Sequence, residues 1–240
     1  MNILIDIGNS RLKWTLQQAA RFEPQPEIAY RQENYLQLLT QCWLKLPMPE
    51  KLAISCVADP AVRAEVMTLA GQLWPDVAMV LPVATACGFG VKNAYPQPEK
   101  LGVDRWLNLL AAHRYYPGQS CIVDCGTAIT LDVLAADGQH QGGLICPGLQ
   151  LMKKALTANT AALAFSDQPQ PLGLADNTAA AIDSGSRYAA LGMIETVLGR
   201  QAPPCQLILC GGDAPALSTQ IAYPHVVDSD LIFKGLAIIL

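Results

Sequence analysis

The residues from Asn2 to Ile7 form a short β-rich apolar run, Asp6-Ile7-Gly8-Asn9-Ser10 is a turn signal, and Arg11 to Leu16 resumes an apolar and polar alternation. Alternation on both sides of a glycine turn predicts a β-hairpin. Leu52 to Val57 predicts a strand, Pro60 to Leu73 a helix with proline at its start, and Val77 to Leu81 another strand. Leu101 to His113 is apolar at helical spacing through Trp106, Leu109, Leu110 and His113, which puts Val103 to Arg105 near a helix N-terminus. Tyr115-Tyr116-Pro117-Gly118-Gln119 then breaks the pattern and marks a boundary between two lobes, 1–115 and 116–240.

Beyond that boundary the chain restarts. Cys121-Ile122-Val123-Asp124-Cys125-Gly126-Thr127-Ala128 repeats the form of Ile3-Leu4-Ile5-Asp6-Ile7-Gly8-Asn9-Ser10, 118 residues further on (6 to 124). Each copy is an apolar strand ending in Asp-x-Gly and followed by a second strand, here Ile129 to Leu134. One copy per half predicts two related lobes with a site in the cleft between them, not an array of short repeats. Ser166 to Gly173 reads as a loop, Thr178 to Leu198 as an Ala-rich helix, and Gln206 to Cys210 as a buried strand opening onto Gly211-Gly212-Asp213.

Composition narrows the partners. Of 240 residues, 51% are hydrophobic and 15% charged, which excludes the signature of a disordered chain. Sixteen Lys and Arg against 20 Asp and Glu leave a net charge of -4 and no basic footprint, so no nucleic-acid partner is expected. No apolar run reaches the roughly 18 residues that span a bilayer, so no membrane partner is expected either. Met1 to Ile5 meets Asp6 at once with no leader pattern, which predicts a cytoplasmic protein. The eight cysteines form no C-x-x-C pair and read as reduced core residues, and the three histidines give a zinc site no support.

Two Asp-x-Gly turns suit phosphate and metal. Gly8 and Gly126 let main-chain N–H groups approach phosphate oxygens, Ser10 and Thr127 can donate hydrogen bonds, and Asp6 or Asp124 can hold a cation. One such turn alone reads more readily as an ordinary β-turn; the repeat across the two halves reverses that and favours the site. No G-x-x-x-x-G-K-[ST] loop, G-x-G-x-x-G fingerprint or G-x-S-x-G elbow occurs. Leu101-Gly102-Val103-Asp104-Arg105 sets a carboxylate and a guanidinium at a helix mouth, where Asp104 can accept a hydroxyl proton and Arg105 can bind a carboxylate bidentately. From this cluster alone, a helix-capping Asp104 beside a solvated Arg105 is an equal alternative.

Taken together these segments resemble the type III pantothenate kinases of the acetate kinase, sugar kinase, heat-shock ATPase and actin superfamily. The resemblance runs nearly end to end. It rests on Asp6-x-Gly8-Asn9-Ser10, Tyr95-x-x-Pro98-x-x-Leu101-Gly102-x-Asp104-Arg105, Asp124-x-Gly126-Thr127-Ala128-x-Thr130-x-Asp132 and Gly142-Gly143-x-Ile145-x-Pro147-Gly148. It implies an α/β fold of two related ribonuclease H-like lobes in the actin-like ATPase architecture. It implies transfer of the ATP γ-phosphoryl group to pantothenate, giving 4′-phosphopantothenate, the first step of coenzyme A synthesis. By resemblance Asp104 is the catalytic base, and Tyr95, Gly102, Val103, Asp104, Arg105 and Thr178 bind pantothenate, Thr178 across a homodimer interface. ATP with magnesium falls to Asp6, Ile7, Gly8, Asn9, Ser10, Arg11, Leu12, Lys13 and Thr127, and a monovalent cation, potassium or ammonium, to Asp124. Gly211-Gly212-Asp213 is implied as the adenosine-side turn.

Two places depart from the family pattern: Ala94, where glycine is frequent, and Leu163-Ala164-Phe165, where Leu-Pro is common. Competing readings are a kinase of the same superfamily acting on another small hydroxyl or carboxylate substrate, and a non-enzymatic accessory factor for transcription. Gly102 to Arg105 argues against the first; against the second stand the intact candidate catalytic positions and the acidic balance.

Overall fold

In the computed structural model, which describes residues 1–30, 34–158 and 171–240, the strands fall into two sheets of five and one pair. The first sheet is built from Asn2–Ile7 (β1), Leu12–Gln18 (β2), Arg21–Pro24 (β3), Lys51–Cys56 (β4) and Ala78–Val80 (β5), with Tyr35–Trp43 (α1) and Pro60–Leu73 (α2) between them. Its order is β3-β2-β1-β4-β5, antiparallel from β3 to β1 and parallel from β1 to β5. Successive side chains of a strand point to opposite faces. Ile3, Ile5 and Ile7 therefore join Trp14, Leu39, Trp43 and Val66 in one core under α1 and α2, while Leu4 faces the other way. Three indoles tie that core together, Trp43 lying 6.2 Å from Trp14 and 5.1 Å from Trp74. Asp59 caps α2 by accepting from the Ala61 N–H at 2.9 Å, with Pro60 at the first helical position.

A two-strand ribbon, Cys87–Gly88 (β6) and Val91–Lys92 (β7), then leads to Val103–Tyr115 (α3). The second sheet repeats the first. Gln119–Cys125 (β8), Ala128–Leu134 (β9), His140–Pro147 (β10), Cys205–Cys210 (β11) and His225–Val227 (β12) run in the order β10-β9-β8-β11-β12, with the same sequence of antiparallel and parallel pairings. Leu149–Ala158 (α4), Thr178–Leu198 (α5) and Ala214–Ser218 (α6) belong to this half, where Cys121, Val123 and Cys125 share a core with Leu191, Ile194 and Leu217. Asp183 of α5 pairs with both Lys153 of α4 and Arg187, all three nearly buried. Leu231–Ile239 (α7) closes the chain.

The chain divides into one unit of Met1–Tyr115 with Asp230–Leu240 and another of Tyr116–Ser229. This differs from the expectation that the second lobe extends to residue 240. The reason is apolar: Phe233 and Leu236 of α7 pack with Leu4, Ala53 and Leu107 on the sheet face opposite the indoles. Other expectations shift modestly. The third helix begins at Val103 instead of Leu101, because Leu101 is extended, and it runs on to Tyr115. All eight cysteines are free, but only Cys121, Cys125 and Cys210 are buried, and Cys87 is exposed on the ribbon. Burial pushes the Cys121 thiol up to about 12. The loop expected at 166–173 lies largely outside the described residues.

Gly235 is where α7 meets α3. A Cβ there would collide with the Leu107 carbonyl group, its carbon 2.7 Å away. Gly235→Ala should therefore destabilise the protein by about 1–3 kcal/mol of overpacking, outweighing the up to about 1 kcal/mol of helix propensity it gains. A lower urea midpoint by circular dichroism is the expected result; an unchanged or higher midpoint would mean the helices separate freely.

Candidate active site

The two Asp-x-Gly turns occupy equivalent places. Asp6 is the penultimate residue of β1, opposite Lys13 of β2 and Ser55 of β4; Asp124 is the penultimate residue of β8, opposite Thr130 of β9 and Cys210 of β11. In each strand the carboxylate falls on the face opposite the main core residues, so neither lies among the packed Ile, Val and Leu side chains. The Gly8 N–H donates to the Arg11 carbonyl and the Gly126 N–H to the Ala128 carbonyl, both at 3.1 Å, so the second turn is tighter by one residue. Asp6 is half-buried; its Oδ1 accepts no hydrogen bond, although the residue is engaged through other contacts.

Backbone packs closely behind the second turn. The Gly148 N–H donates to the Thr127 carbonyl at 2.9 Å, and a Cβ on Gly148 would lie 2.6 Å from that oxygen. Gly211, at φ +87°, approaches from β11: a Cβ there would fall on Asp124 Oδ1 and lie 2.6 Å from the Cys125 carbonyl oxygen. Gly211 is thus required by the protein's own turn, whereas Gly212 has open space around it. The Asp213 N–H donates to the Cys125 carbonyl at 2.9 Å. Burial first, then the charges of Asp124 and Asp213, push the Cys125 thiol far above its ordinary range. Two carboxylates near one buried thiol make an acidic corner. Hard oxygen donors of this kind fit magnesium and alkali cations better than soft metals.

The start of α3 is built differently. The Trp106 N–H donates to the Gly102 carbonyl at 3.0 Å, so Gly102 is the capping position and Asp104 lies in the first turn. Asp104 Oδ1 accepts from the Arg105 N–H at 2.7 Å, satisfying one of the donors a helix start leaves over. A Cβ on Gly102 would sit 2.5 Å from the same oxygen, so a larger residue would push the carboxylate from this place. Arg105 is 4% exposed, which removes the solvated alternative. Its Nη1 donates to the Tyr95 hydroxyl at 2.9 Å, and its guanidinium lies over the Tyr95 ring, 5.6 Å from the centroid. A half-buried carboxylate beside a buried, aromatic-backed guanidinium can orient a small molecule that carries both a hydroxyl and an anionic group.

Sequence reasoning missed Asn93. Its Oδ1 accepts from the Tyr95 N–H at 2.9 Å, and its Nδ2 reaches the Thr85 and Pro98 carbonyls, each at 3.3 Å. It holds the loop that presents Tyr95; asparagine two residues before an X-Pro segment was the available turn signal. The remaining candidates divide. Tyr95, Gly102, Val103, Asp104 and Arg105 form one cluster, Asp6 to Lys13 another, and Asp124 with Thr127 a third. Ile7 and Leu12 are core side chains, and the Leu12 N–H and carbonyl are engaged with Ile28. Arg11 and Lys13 lie 2.8 and 3.7 Å from Glu27, in exposed pairs that a phosphate can displace. Thr178 is exposed at the start of α5, where Asn177 Oδ1 accepts from the Ala180 N–H. Of the two departures, Ala94 is exposed and Leu163-Ala164-Phe165 lie outside the described residues.

Two mixed sheets with one strand order, each ending its first strand in an Asp-x-Gly turn, define a duplicated ribonuclease H-like protein of the actin-like ATPase fold. Solved structures agree at the level of fold. A structure described as a Baf family transcriptional activator from Campylobacter jejuni superposes with a TM-score of 0.63 at 20% identity, covering 99% of this chain and 96% of that one. The activator of the 2-hydroxyisocaproyl-CoA dehydratase from Clostridium difficile, with bound ADPNP, gives 0.54 at 12% identity, covering 99% and 93%. A family model for type III pantothenate kinase matches residues 2–200. Type III pantothenate kinases from Nitrosococcus oceani and Burkholderia thailandensis are 36% and 34% identical, each over 99% of this chain and over 92% and 96% of their own lengths. The chain belongs to the type III pantothenate kinase family.

Gly211 and Gly212 make a paired test of the acidic corner. Gly211→Ala meets both a positive φ and the Asp124 carboxylate, and should cost about 1–3 kcal/mol in urea unfolding. Gly212→Ala should stay within about 0.5 kcal/mol of the parent. Equal effects would mean that Gly211 does not buttress Asp124.

Proposed function

We propose that this protein transfers the γ-phosphoryl group of ATP to the primary hydroxyl of pantothenate, giving 4′-phosphopantothenate for coenzyme A synthesis. The observation that carries this reading is the start of α3, where Asp104 and the buried Arg105 stand side by side. Pantothenate has a carboxylate at one end and a primary hydroxyl at the other. Arg105, stiffened by Tyr95, takes the carboxylate, and Asp104 orients the hydroxyl and receives its proton. The hydroxyl oxygen forms a bond to the γ-phosphorus as the bond to the β,γ-bridging oxygen breaks, and ADP leaves. Such transfers are catalysed mainly by alignment and charge neutralisation.

The ATP phosphates are assigned to the Asp6 to Lys13 turn and to Thr127, whose glycine neighbours allow close main-chain approach. Asp6 is assigned to the magnesium side and Asp124 to a monovalent cation, potassium or ammonium. These cations, when bound, neutralise phosphate charge that the chain's few basic groups near the turns leave over. Thr178 is assigned to substrate contact from a second copy of the chain. In support of a homodimer, Leu144, Ile145, Leu151, Leu156 and Tyr188 of the second unit are all 45–62% exposed, and exposed apolar surface of this kind marks association. Free thiols throughout accord with a reducing cytoplasm. No helix among the described residues is long and apolar enough to cross a membrane.

ADP release by the purified protein with ATP and magnesium, measured with and without pantothenate in potassium and then sodium buffer, tests the whole reading. Release should require pantothenate and potassium or ammonium. Pantothenate-independent release would point to another substrate, and none at all from folded protein would favour an accessory role. Asp104→Asn should lower kcat by roughly 10²–10⁴-fold with the KM for ATP little changed. Ile145→Glu should convert a dimer to a monomer by light scattering; a dimer that persists would put the interface elsewhere.

A further inference from the structure

The first unit holds a second concavity that the phosphoryl-transfer reading does not use. It has a volume of about 600 Å³ and lies against the far end of α3, between the β2–β3 turn and α7. Its walls include Phe22 of β3, Phe89 of the β6–β7 turn, Arg114 and Tyr115 from the last turn of α3, and Lys234 of α7. None of the lining residues is acidic. Lys234 Nζ sits over the Tyr115 ring, 5.6 Å from its centroid, and Phe89 is 58% exposed. Asp104 and Arg114 are ten residues apart on one helix, so the two sites are separated by about 15 Å along its axis.

Backbone strain gathers at the same place. Among the described residues, Ala19 at φ +53° and Phe89 at φ +51° are the two non-glycine residues with positive φ, and both line this pocket. Each lies in the two-residue turn of a hairpin. A bulky side chain in the left-handed region is uncommon, because its Cβ crowds the backbone. Phe89 is held there by its neighbours. A Cβ on Gly88 would lie 3.4 Å from the Trp106 ring, and one on Gly90 2.7 Å from His113 Nε2, so both glycines lie flat on α3 and Phe89 is left at the pocket rim. Strain that the surroundings over-determine in this way clusters at ligand sites.

We propose that this pocket binds a small planar aromatic anion, its ring against Phe89, Phe22 and Tyr115 and its charge toward Arg114 and Lys234. The size suits a ligand of drug-like dimensions, and a mostly apolar concavity with a few converging cations is the form such sites take. The absence of acidic lining residues sets the sign of the ligand charge, and three rings set its shape.

The probe is 1-anilinonaphthalene-8-sulfonate, titrated by fluorescence into the folded protein, with N-phenyl-1-naphthylamine as its analogue without the sulfonate. Saturable binding of the sulfonate is expected, weaker by roughly tenfold for the neutral analogue and for Arg114→Gln. Phe89→Asn is the sharper variant. Asparagine tolerates positive φ, so the melting temperature should hold or rise while probe affinity falls roughly five- to tenfold. A purely structural Phe89 would show the reverse, with lower stability and unchanged affinity, and would overturn the site. Equal affinity in all variants, displacement of the probe by ATP with pantothenate, or an affinity that follows protein concentration would each overturn it as well.

Discussion

Much of the first unit depends on the burial of one helix. From Arg105 to Ala112 every residue of α3 is buried, a run that an amphipathic surface helix would interrupt with polar exposure. Leu107 packs in one cluster with Leu4 and Ala53 of the sheet and Phe233 and Leu236 of α7. Because the helix is buried over most of its length, its ends are fixed, and with them the places of Asp104 and Arg105 at one end and Arg114 and Tyr115 at the other. Arg105 is drawn out of water with the helix, and a guanidinium there requires a partner such as the Tyr95 hydroxyl. The same burial fixes where Arg114 and Tyr115 emerge.

The duplicated sheets impose a second constraint. A carboxylate one residue from the end of a central strand has strands on both sides, so its place is fixed by the sheet. In the second unit Gly148 and Gly211 also pack so closely behind the turn that a methyl group would collide with main chain. Rigid backbone thus holds the acidic groups, and positioning of this kind is what phosphoryl transfer asks of a protein. Clustered negative charge has a local effect as well, visible in the Cys125 thiol, which burial and two neighbouring carboxylates keep protonated.

One stretch of chain also links the two ends of α3. Phe89, in the β6–β7 turn, and Tyr95, just after β7, are six residues apart, and the stretch is pinned by Asn93 at one point and by Gly88 and Gly90 against α3 at others. Beyond β7 it is irregular, yet its contacts are as specific as those of a strand. Loops positioned by a rigid scaffold are where binding residues concentrate.

Local pattern determined a large part of this protein. The two Asp-x-Gly turns, the helices Pro60–Leu73 and Thr178–Leu198, and the strand before Gly211 follow from periodicity, proline and glycine placement, and side-chain capping, all of which act over a few residues. Their repeat predicts the duplicated sheet, and the segment from Tyr95 to Arg105 holds the residues proposed for the substrate. What only the tertiary structure decided depends on distant partners. Leu231–Ile239 is a short apolar stretch whose return to the first sheet is set by Leu4, Ala53 and Leu107, far away in the chain. Arg105 reads equally as a ligand-binding or a solvated residue until the run from Arg105 to Ala112 is seen to be buried. Asn93 looks like any turn asparagine until its amide is found bridging Thr85 and Pro98. Gly211 and Phe89 acquire their meaning only from what packs against them, because a missing or misplaced Cβ has a cost only when a neighbour from elsewhere in the chain is within contact.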